Sequence, residues 1–233
     1  MEIGFELLYE DGPCLVVSKP GGVLTQAPPH IDSLEKRIKQ FIKERDGKPG
    51  RVYLGMPHRL DRPVSGLLVC AKHVRAARRL SEQFEGRIVS KTYWSLVEGT
   101  VESDSGTWTD YVRKIPDQAL AEVVDRNHPD ARIAILHYQV KQRSEGWTWL
   151  EIQLETGRTH QIRLQSGFRG HPILGDSTYG ATTTFGPATD DQRERWIALH
   201  ARRLEFRHPM SREFISNEAN LPSWWGEFDI GTA

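Results

Sequence analysis

Residues 58–72 read His58-Arg59-Leu60-Asp61-Arg62-Pro63-Val64-Ser65-Gly66-Leu67-Leu68-Val69-Cys70-Ala71-Lys72, and this order of polar then apolar residues decides the fold class. Residues 66–72 are apolar on both alternating faces, as in a strand covered on both sides near the centre of a sheet. Directly before that strand stands an aspartate flanked by basic residues. A carboxylate at the mouth of a buried strand stays ionised only with a cation or hydrogen-bond donors close by. An arginine from another segment is the natural partner, and Arg163 is a candidate.

Working outward, residues 5–9 and 14–18 read as short strands around the turn Asp11-Gly12-Pro13, and Pro20-Gly21-Gly22 closes the second. Asp32-Ser33-Leu34-Glu35 reads as a helix start with an N-cap and a carboxylate three residues on; Leu34, Ile38, Phe41 and Ile42 form its apolar stripe, which ends near Gly47. Val74, Ala77, Leu80 and Phe84 recur at helical spacing and turn Arg75, Arg78 and Arg79 outward. In residues 90–99, Thr92, Trp94 and Leu96 alternate with Lys91, Tyr93 and Ser95, which puts Tyr93 on the less apolar face. Residues 133–140 and 148–155 form a hairpin about Glu145-Gly146, and residues 199–207 make a last strand before His208-Pro209. Residues 180–192 lack periodicity and read as a mobile loop. Many strands, few helices and no regular alternation of the two give an α+β class with a largely antiparallel or mixed sheet.

At 233 residues the chain is long for one domain and short for two, so a single globular domain over residues 1–233 is expected, at most in two lobes. With 38% hydrophobic and 27% charged residues it buries a core and is too apolar for general disorder. Residues 1–11 carry Glu6, Glu10 and Asp11 and no long apolar run, so no signal peptide is expected. The longest apolar stretch, residues 67–71, is far too short to span a bilayer, and a cytoplasmic protein is expected. Cys14 and Cys70 lie inside apolar runs without a partner at metal or redox spacing, and read as small core residues in a reducing compartment.

Net charge is zero, 31 basic against 31 acidic residues, but the distribution is uneven. Residues 58–93 hold eight basic and three acidic side chains, and a second basic group lies in residues 193–212. Phosphate backbones respond to such local clusters, because salt screens charges beyond about 10 Å. From charge alone, a solvated helix face remains the plainer reading.

Three polar groups interrupt otherwise structural sequence: residues 58–62, Lys91-Thr92-Tyr93, and residues 156–163. From the residues alone they offer a carboxylate, a phenol and an arginine to one polar cleft, a set that several reaction types use. His-Glu-x-x-His, a cysteine zinc knuckle, the G-x-S-x-G elbow, the P-loop and G-x-G-x-x-G are all absent from the sequence. Metal, acyl-transfer and nucleotide-cofactor chemistry therefore lose their usual anchors. Isolated histidines such as His137 and His200 read as hydrogen-bonded structural residues.

His58-Arg59-Leu60-Asp61, followed by Ser65-Gly66-Leu67-Leu68-Val69 and Ala71-Lys72, resembles the catalytic motif of the RluA-type RNA pseudouridine synthases. Leu15-Val16-Val17-Ser18-Lys19-Pro20-Gly21-Gly22 is similar to the family's first strand and Lys-Pro turn, and Lys91-Thr92-Tyr93 to its Lys-x-Tyr motif. Gly157-Arg158-Thr159-His160-Gln161-Ile162-Arg163, the loop Gly170-His171-Pro172-Ile173-Leu174-Gly175-Asp176 with Tyr179-Gly180, and Leu199-His200-Ala201 continue the resemblance in order, over roughly residues 5–226. Val64 departs from the usual Thr, deleting a hydroxyl near the aspartate loop, and Gln165 stands where a His is common. The S4 domain frequent in the family is not expected here, which shifts weight for RNA binding onto the basic surface of the catalytic domain.

The resemblance implies a pseudouridine synthase catalytic domain: a mixed, largely antiparallel sheet in two lobes with a central cleft. It implies an isomerase that converts uridine to pseudouridine in rRNA or tRNA, with Asp61 as the carboxylate acting on a flipped-out uridine. Tyr93 would stack on the uracil and help remove the C5 proton, Arg163 would pair with Asp61, and Leu199 would pack beneath the base. Arg59 would fill the space the base vacates, and His58, Arg62, Lys91 and His160 would join it in binding substrate. No metal or organic cofactor is implied, and a monomer binding structured RNA without an obligatory protein partner is expected. Standing alone, Asp61 would read as a turn cap, Tyr93 as a half-buried strand residue and Arg163 as a surface helix residue; their joint occurrence at matching motifs reverses this. Two alternatives remain: a non-catalytic RNA-binding protein of the same fold, and a metal-dependent nuclease using Asp61, His58 and His160.

Overall fold

The apolar run after Asp61 is a strand buried along its whole length. In the computed structural model, which describes residues 3–230, β3 (Ser65–Ala71) is covered on both faces. Burying each of its larger side chains contributes about 1.5–3 kcal/mol. The expectations for residues 1–11 and for one domain over 1–233 extend beyond the described residues at the ends.

The chain divides into two compact units: Met1–Lys91, Thr189–Glu194 and Ala201–Pro222 in the first, and Thr92–Ala188, Arg195–His200 and Ser223–Ala233 in the second. In the first unit, β1 (Glu6–Asp11) pairs with β2 (Cys14–Lys19), which pairs with β3, both antiparallel. β9 (Leu199–Arg207) follows β3 in the sheet order, and β10 (Phe214–Glu218) adds antiparallel to β9. Gly66 admits no side chain, because at its φ of +109° a Cβ would stand 2.4 Å from the Ala201 carbonyl oxygen.

Two helices belong to this unit, α1 (Leu34–Arg45) and α2 (Val74–Glu85). Ser33 caps α1, its Oγ accepting from Lys36 N at 3.4 Å, and Leu34, Ile38 and Ile42 are buried as the stripe predicts. In α2 the expected stripe holds at Ala77, Leu80 and Phe84, which face the core, but not at Val74. Ala76, Leu80 and Gln83 are buried whereas Val74 is 66% exposed. Gln83 is drawn inward by the backbone of Arg207, to which its amide both donates and offers an acceptor at 2.8 Å.

The second unit runs in the order β4 (Ser90–Glu98), β8 (Trp147–Leu154), β7 (Arg132–Ser144), β5 (Ser105–Lys114) and β6 (Ala121–Val123), each neighbouring pair antiparallel. The β7–β8 hairpin turns where Glu145-Gly146 predicts it. Both faces of β4 are buried from Thr92 to Val97, so Tyr93 sits on a covered face rather than a half-open one. Thr92 and Ser95 are buried with the rest. α3 (Gln161–Phe168) and two 3-10 turns, Ser177–Tyr179 and Ser223–Phe228, complete the unit.

Residues 180–192 hold no helix or strand, as read from the sequence. Their first part is nonetheless anchored: Glu98 accepts from the backbone of Thr182 and Thr183, and Phe185 is buried against the rings of Trp225 and Phe228. Among the described residues no helix is long and apolar enough to cross a membrane.

Candidate active site

The loop carrying Asp61 is secured at the residues on either side of it. Thr25, 3% exposed, donates its hydroxyl to the Leu60 carbonyl at 2.8 Å and accepts from the Leu60 amide at 3.1 Å. Lys19, 1% exposed at the end of β2, donates to the carbonyls of Pro20 and Val23 at 2.8 Å and of Arg62 at 3.1 Å. Burial pushes its ammonium down to about 7, against the pull of the Asp61 charge, which raises it. The Val64 amide donates to the Asp61 carbonyl at 3.1 Å and closes the turn into β3. Three carbonyls and a nearby carboxylate are a fitting environment for an ammonium, so the loop and Lys19 stabilise each other.

His58 joins the loop to the strand behind it. Its Nε2 accepts from the Val69 amide at 3.0 Å, and its ring stacks on Phe84 at 4.4 Å. Burial, with a smaller contribution from the Lys91 charge, pushes its pKa down to about 3. A neutral imidazole with Nε2 occupied as an acceptor ties α2, β3 and the loop together. Arg59 is exposed, and Arg62 is half-buried with its Nε lacking a hydrogen-bond partner among the described residues. Lys91, at the start of β4, has its pKa lowered by burial and by Arg87.

In the second unit, Tyr93 is buried on β4 opposite Ile152 of β8, and the indole of Trp94 donates to Glu151 at 3.0 Å across the same pair of strands. Leu199 is buried at the start of β9. Arg163 lies on α3, whose N-cap, His160, is left-handed at φ 53°. The Arg163 side chain is gripped by Asp176 in a bidentate ion pair, Nε to Oδ2 at 2.6 Å and Nη2 to Oδ1 at 2.8 Å, with the two side chains 6% and 1% exposed. The Tyr179 ring lies 5.2 Å from the guanidinium carbon, and its hydroxyl meets His160 Nδ1 at 2.9 Å and accepts from the Ala121 amide at 3.1 Å.

α3 is seated by a ladder of amides. Gln161 Nε2 donates to the Ile135 carbonyl and to Gln165 Oε1, while its Oε1 accepts from Thr156 and the Arg158 amide. Gln165, fully buried, donates onward to Asp110 at 2.6 Å and the Trp108 carbonyl at 3.2 Å. At this position, where the family commonly carries His, the glutamine's oxygen and NH2 meet an amide donor and a carboxylate acceptor.

The structure thus brings His58, Arg59, Asp61 and Arg62 onto one loop, and seats Arg163 and His160 on one helix turn. Sequence reasoning gave no role to Thr25, Asp176 or Tyr179, and treated Lys19 only as part of a turn motif. Asp176 and Tyr179 carried a signal, being part of the quoted loop motif. Thr25 carried none, since its partner lies 35 residues away. Among the described residues, no three His, Cys, Asp or Glu side chains are grouped so as to hold a metal ion.

Comparison with known proteins adds the chemistry. The profile of a family described as RNA pseudouridylate synthase matches residues 13–166. A Bacillus subtilis relative named Uncharacterized RNA pseudouridine synthase YlyB is 35% identical over 219 residues, an alignment covering 93% of this chain and 69% of the relative. Ribosomal large subunit pseudouridine synthase D of Xanthomonas campestris is 34% identical over 228 residues, covering 95% and 67%. The solved structure of Human RNA Pseudouridylate Synthase Domain Containing 4 shares the fold, with a TM-score of 0.77 at 23% identity over 95% of this chain and 90% of that one. With an α+β fold, the motif order intact and two-thirds of its length under the family profile, this chain belongs to the RNA pseudouridylate synthase family and is an isomerase that forms pseudouridine in RNA.

Proposed function

We propose that Asp61 is the catalytic carboxylate and that the substrate is a uridine in structured ribosomal or transfer RNA. The observation that carries the reading is the double anchorage around Asp61. Buried Thr25 and Lys19 fix residues 60 and 62 through their backbone groups, as expected for a side chain that must be held in register with a reacting base. Relatives named for the large ribosomal subunit favour large-subunit RNA as the first substrate to assay.

In the reaction the N1–C1′ bond of uridine breaks, a C5–C1′ bond forms, the C5 hydrogen leaves as a proton and the freed ring nitrogen takes one up, so no electrons are exchanged with an outside partner and no metal or organic cofactor is required. Asp61 acts as nucleophile or proton acceptor, Tyr93 faces the uracil and aids loss of the C5 proton, and Arg163 is the countercharge. Leu199 supports the base, while Arg59, Arg62, Lys91 and His160 serve RNA binding. His58, neutral and bonded to β3, contributes by holding the loop. Drawing a base from its stack costs a few kcal/mol, which one aromatic contact worth about 1–3 kcal/mol largely offsets.

The test is tritium release from RNA carrying 5-tritiated uridine. Asp61→Asn should lose at least about a thousandfold in turnover, since asparagine supplies neither nucleophile nor base, while fold and most RNA affinity remain. Wild-type turnover should survive EDTA. Substantial release by folded Asp61→Asn, or loss of wild-type activity on chelation, overturns the assignment.

A further inference from the structure

The first unit joins two basic groups that are far apart in sequence. Arg79 of α2 donates from Nη1 to the Pro209 carbonyl at 2.8 Å, and Gln83 holds the end of β9 through both the amide and the carbonyl of Arg207. The helix is therefore fastened to the connection between β9 and β10. That connection is itself built tightly. Buried His208 accepts at Nδ1 from the amides of Met210 and Ser211, and the Arg212 amide donates to the His208 carbonyl at 3.0 Å. Arg212 occupies the left-handed region at φ 70°, with its side chain exposed.

The result is a fixed surface on which Arg75, Arg78, Arg79, Arg207 and Arg212 meet few acids. The Arg78 partner, Glu82, stands at 3.5 Å with the two side chains 72% and 59% exposed, a pair of little energetic weight. Arg75 and Arg212 have no ion pair among the described residues. The Arg79 pKa is lowered first by burial and then by the charges of Arg75, Arg212 and Arg78, so the guanidinium groups act on one another across the helix-to-turn junction. Mutually repelling cations held on rigid backbone are a surface to which an anion adds stability.

We propose that the outer face of α2 and the β9–β10 turn form one docking surface for the phosphate backbone of the substrate RNA, contacting nucleotides other than the uridine that reacts. This rests on the RNA-modifying reading above. RNA suits the surface because the arginines are spread along a helix and a turn and address successive phosphates. Such contacts position the nucleic acid without reading its bases.

The test is the triple variant Arg75→Ala/Arg78→Ala/Arg212→Ala, which leaves Arg79 and Gln83 to hold the turn, so the melting temperature should match wild type. Binding of in-vitro-transcribed ribosomal RNA fragments is measured from 50 to 300 mM KCl, beside tritium release. Each lost phosphate contact should flatten the slope of log K against log salt by about 0.7–0.9, so the triple variant should lose about two. Its KM should rise roughly tenfold at low salt with kcat unchanged. The Arg→Lys triple should keep the slope, and Glu82→Gln should steepen it. An unchanged slope and KM in the alanine variant, or a fall in kcat without a change in KM, overturns the docking surface. No tritium release by wild type would instead sink the underlying functional reading, so the two failures are distinguishable.

Discussion

The loop around Asp61 and the helix around Arg163 are secured in opposite ways. On the loop, the structural grip falls on the neighbours: Thr25 holds Leu60 and Lys19 holds Arg62, both through backbone atoms. On α3 the grip falls on the charged group itself, where Asp176 takes two nitrogens of the guanidinium and Tyr179 lies against it. The anchors on the loop act on the backbone at residues 60 and 62, and so set the place of Asp61 through its neighbours. The Arg163 guanidinium is clamped directly, its planar fork matched to both oxygens of one buried carboxylate.

The sharpest way to break this contrast is Asp176→Asn. Removing one partner of a buried ion pair typically costs about 3–5 kcal/mol, which for a chain of this size lowers the melting temperature by roughly 10 °C. Asp61→Asn, by contrast, should shift melting by less than about 3 °C while abolishing turnover. Calorimetry on the two variants side by side gives the comparison directly. Equal melting temperatures would mean that the Arg163 grip does not differ in kind from the Asp61 loop.

Much of the fold could be read from local pattern, because local pattern produced it. β9 occupies Leu199–Arg207 and the β7–β8 hairpin turns at Glu145-Gly146, as alternation and turn chemistry predict. The α2 stripe held at Ala77, Leu80 and Phe84 but failed at Val74 and left out Gln83, a polar residue buried through a backbone 124 residues away. β10 has no strong pattern because its inner face is only Ile215 and Asn217, both half-buried, while the apolar Phe214 faces outward. The candidate site shows the same division. Asp61, Tyr93 and Arg163 were singled out by family motifs, since individually each has an ordinary structural reading. Thr25 and the Arg163–Asp176 pair required the tertiary fold.

Thr25→Val probes the loop side at smaller amplitude. Valine fills the same volume but leaves the buried amide and carbonyl of Leu60 without their hydroxyl, a penalty of about 1–3 kcal/mol. If the hydroxyl positions Asp61, part of this should appear as a loss of kcat of about tenfold with KM nearly unchanged. Thr25→Ser should restore turnover by returning the hydroxyl, even though a methyl is lost. A variant that is merely less stable, with full kcat per folded molecule, would reduce Thr25 to packing and leave the loop to Lys19 and His58.

The smallest expected effect is a pH dependence, and it separates the two regions by its origin. Burial pushes the Lys19 ammonium down to about 7 in the folded protein, whereas an unfolded lysine titrates near 10.4. Between these values the unfolded chain binds the additional proton, so stability rises as pH increases from about 7 towards 10 and is flat with respect to this group below that window. Urea midpoints at pH 6, 7.5 and 9 should therefore climb more steeply in wild type than in Lys19→Met, and the difference should persist in Asp176→Asn. Asp61→Asn should extend the window downward, since the Asp61 charge is what raises the lysine against its burial. Parallel pH profiles for wild type and Lys19→Met would show that the lysine keeps one protonation state in the folded and unfolded chains, and that the carbonyls of Pro20, Val23 and Arg62 suffice to hold it charged.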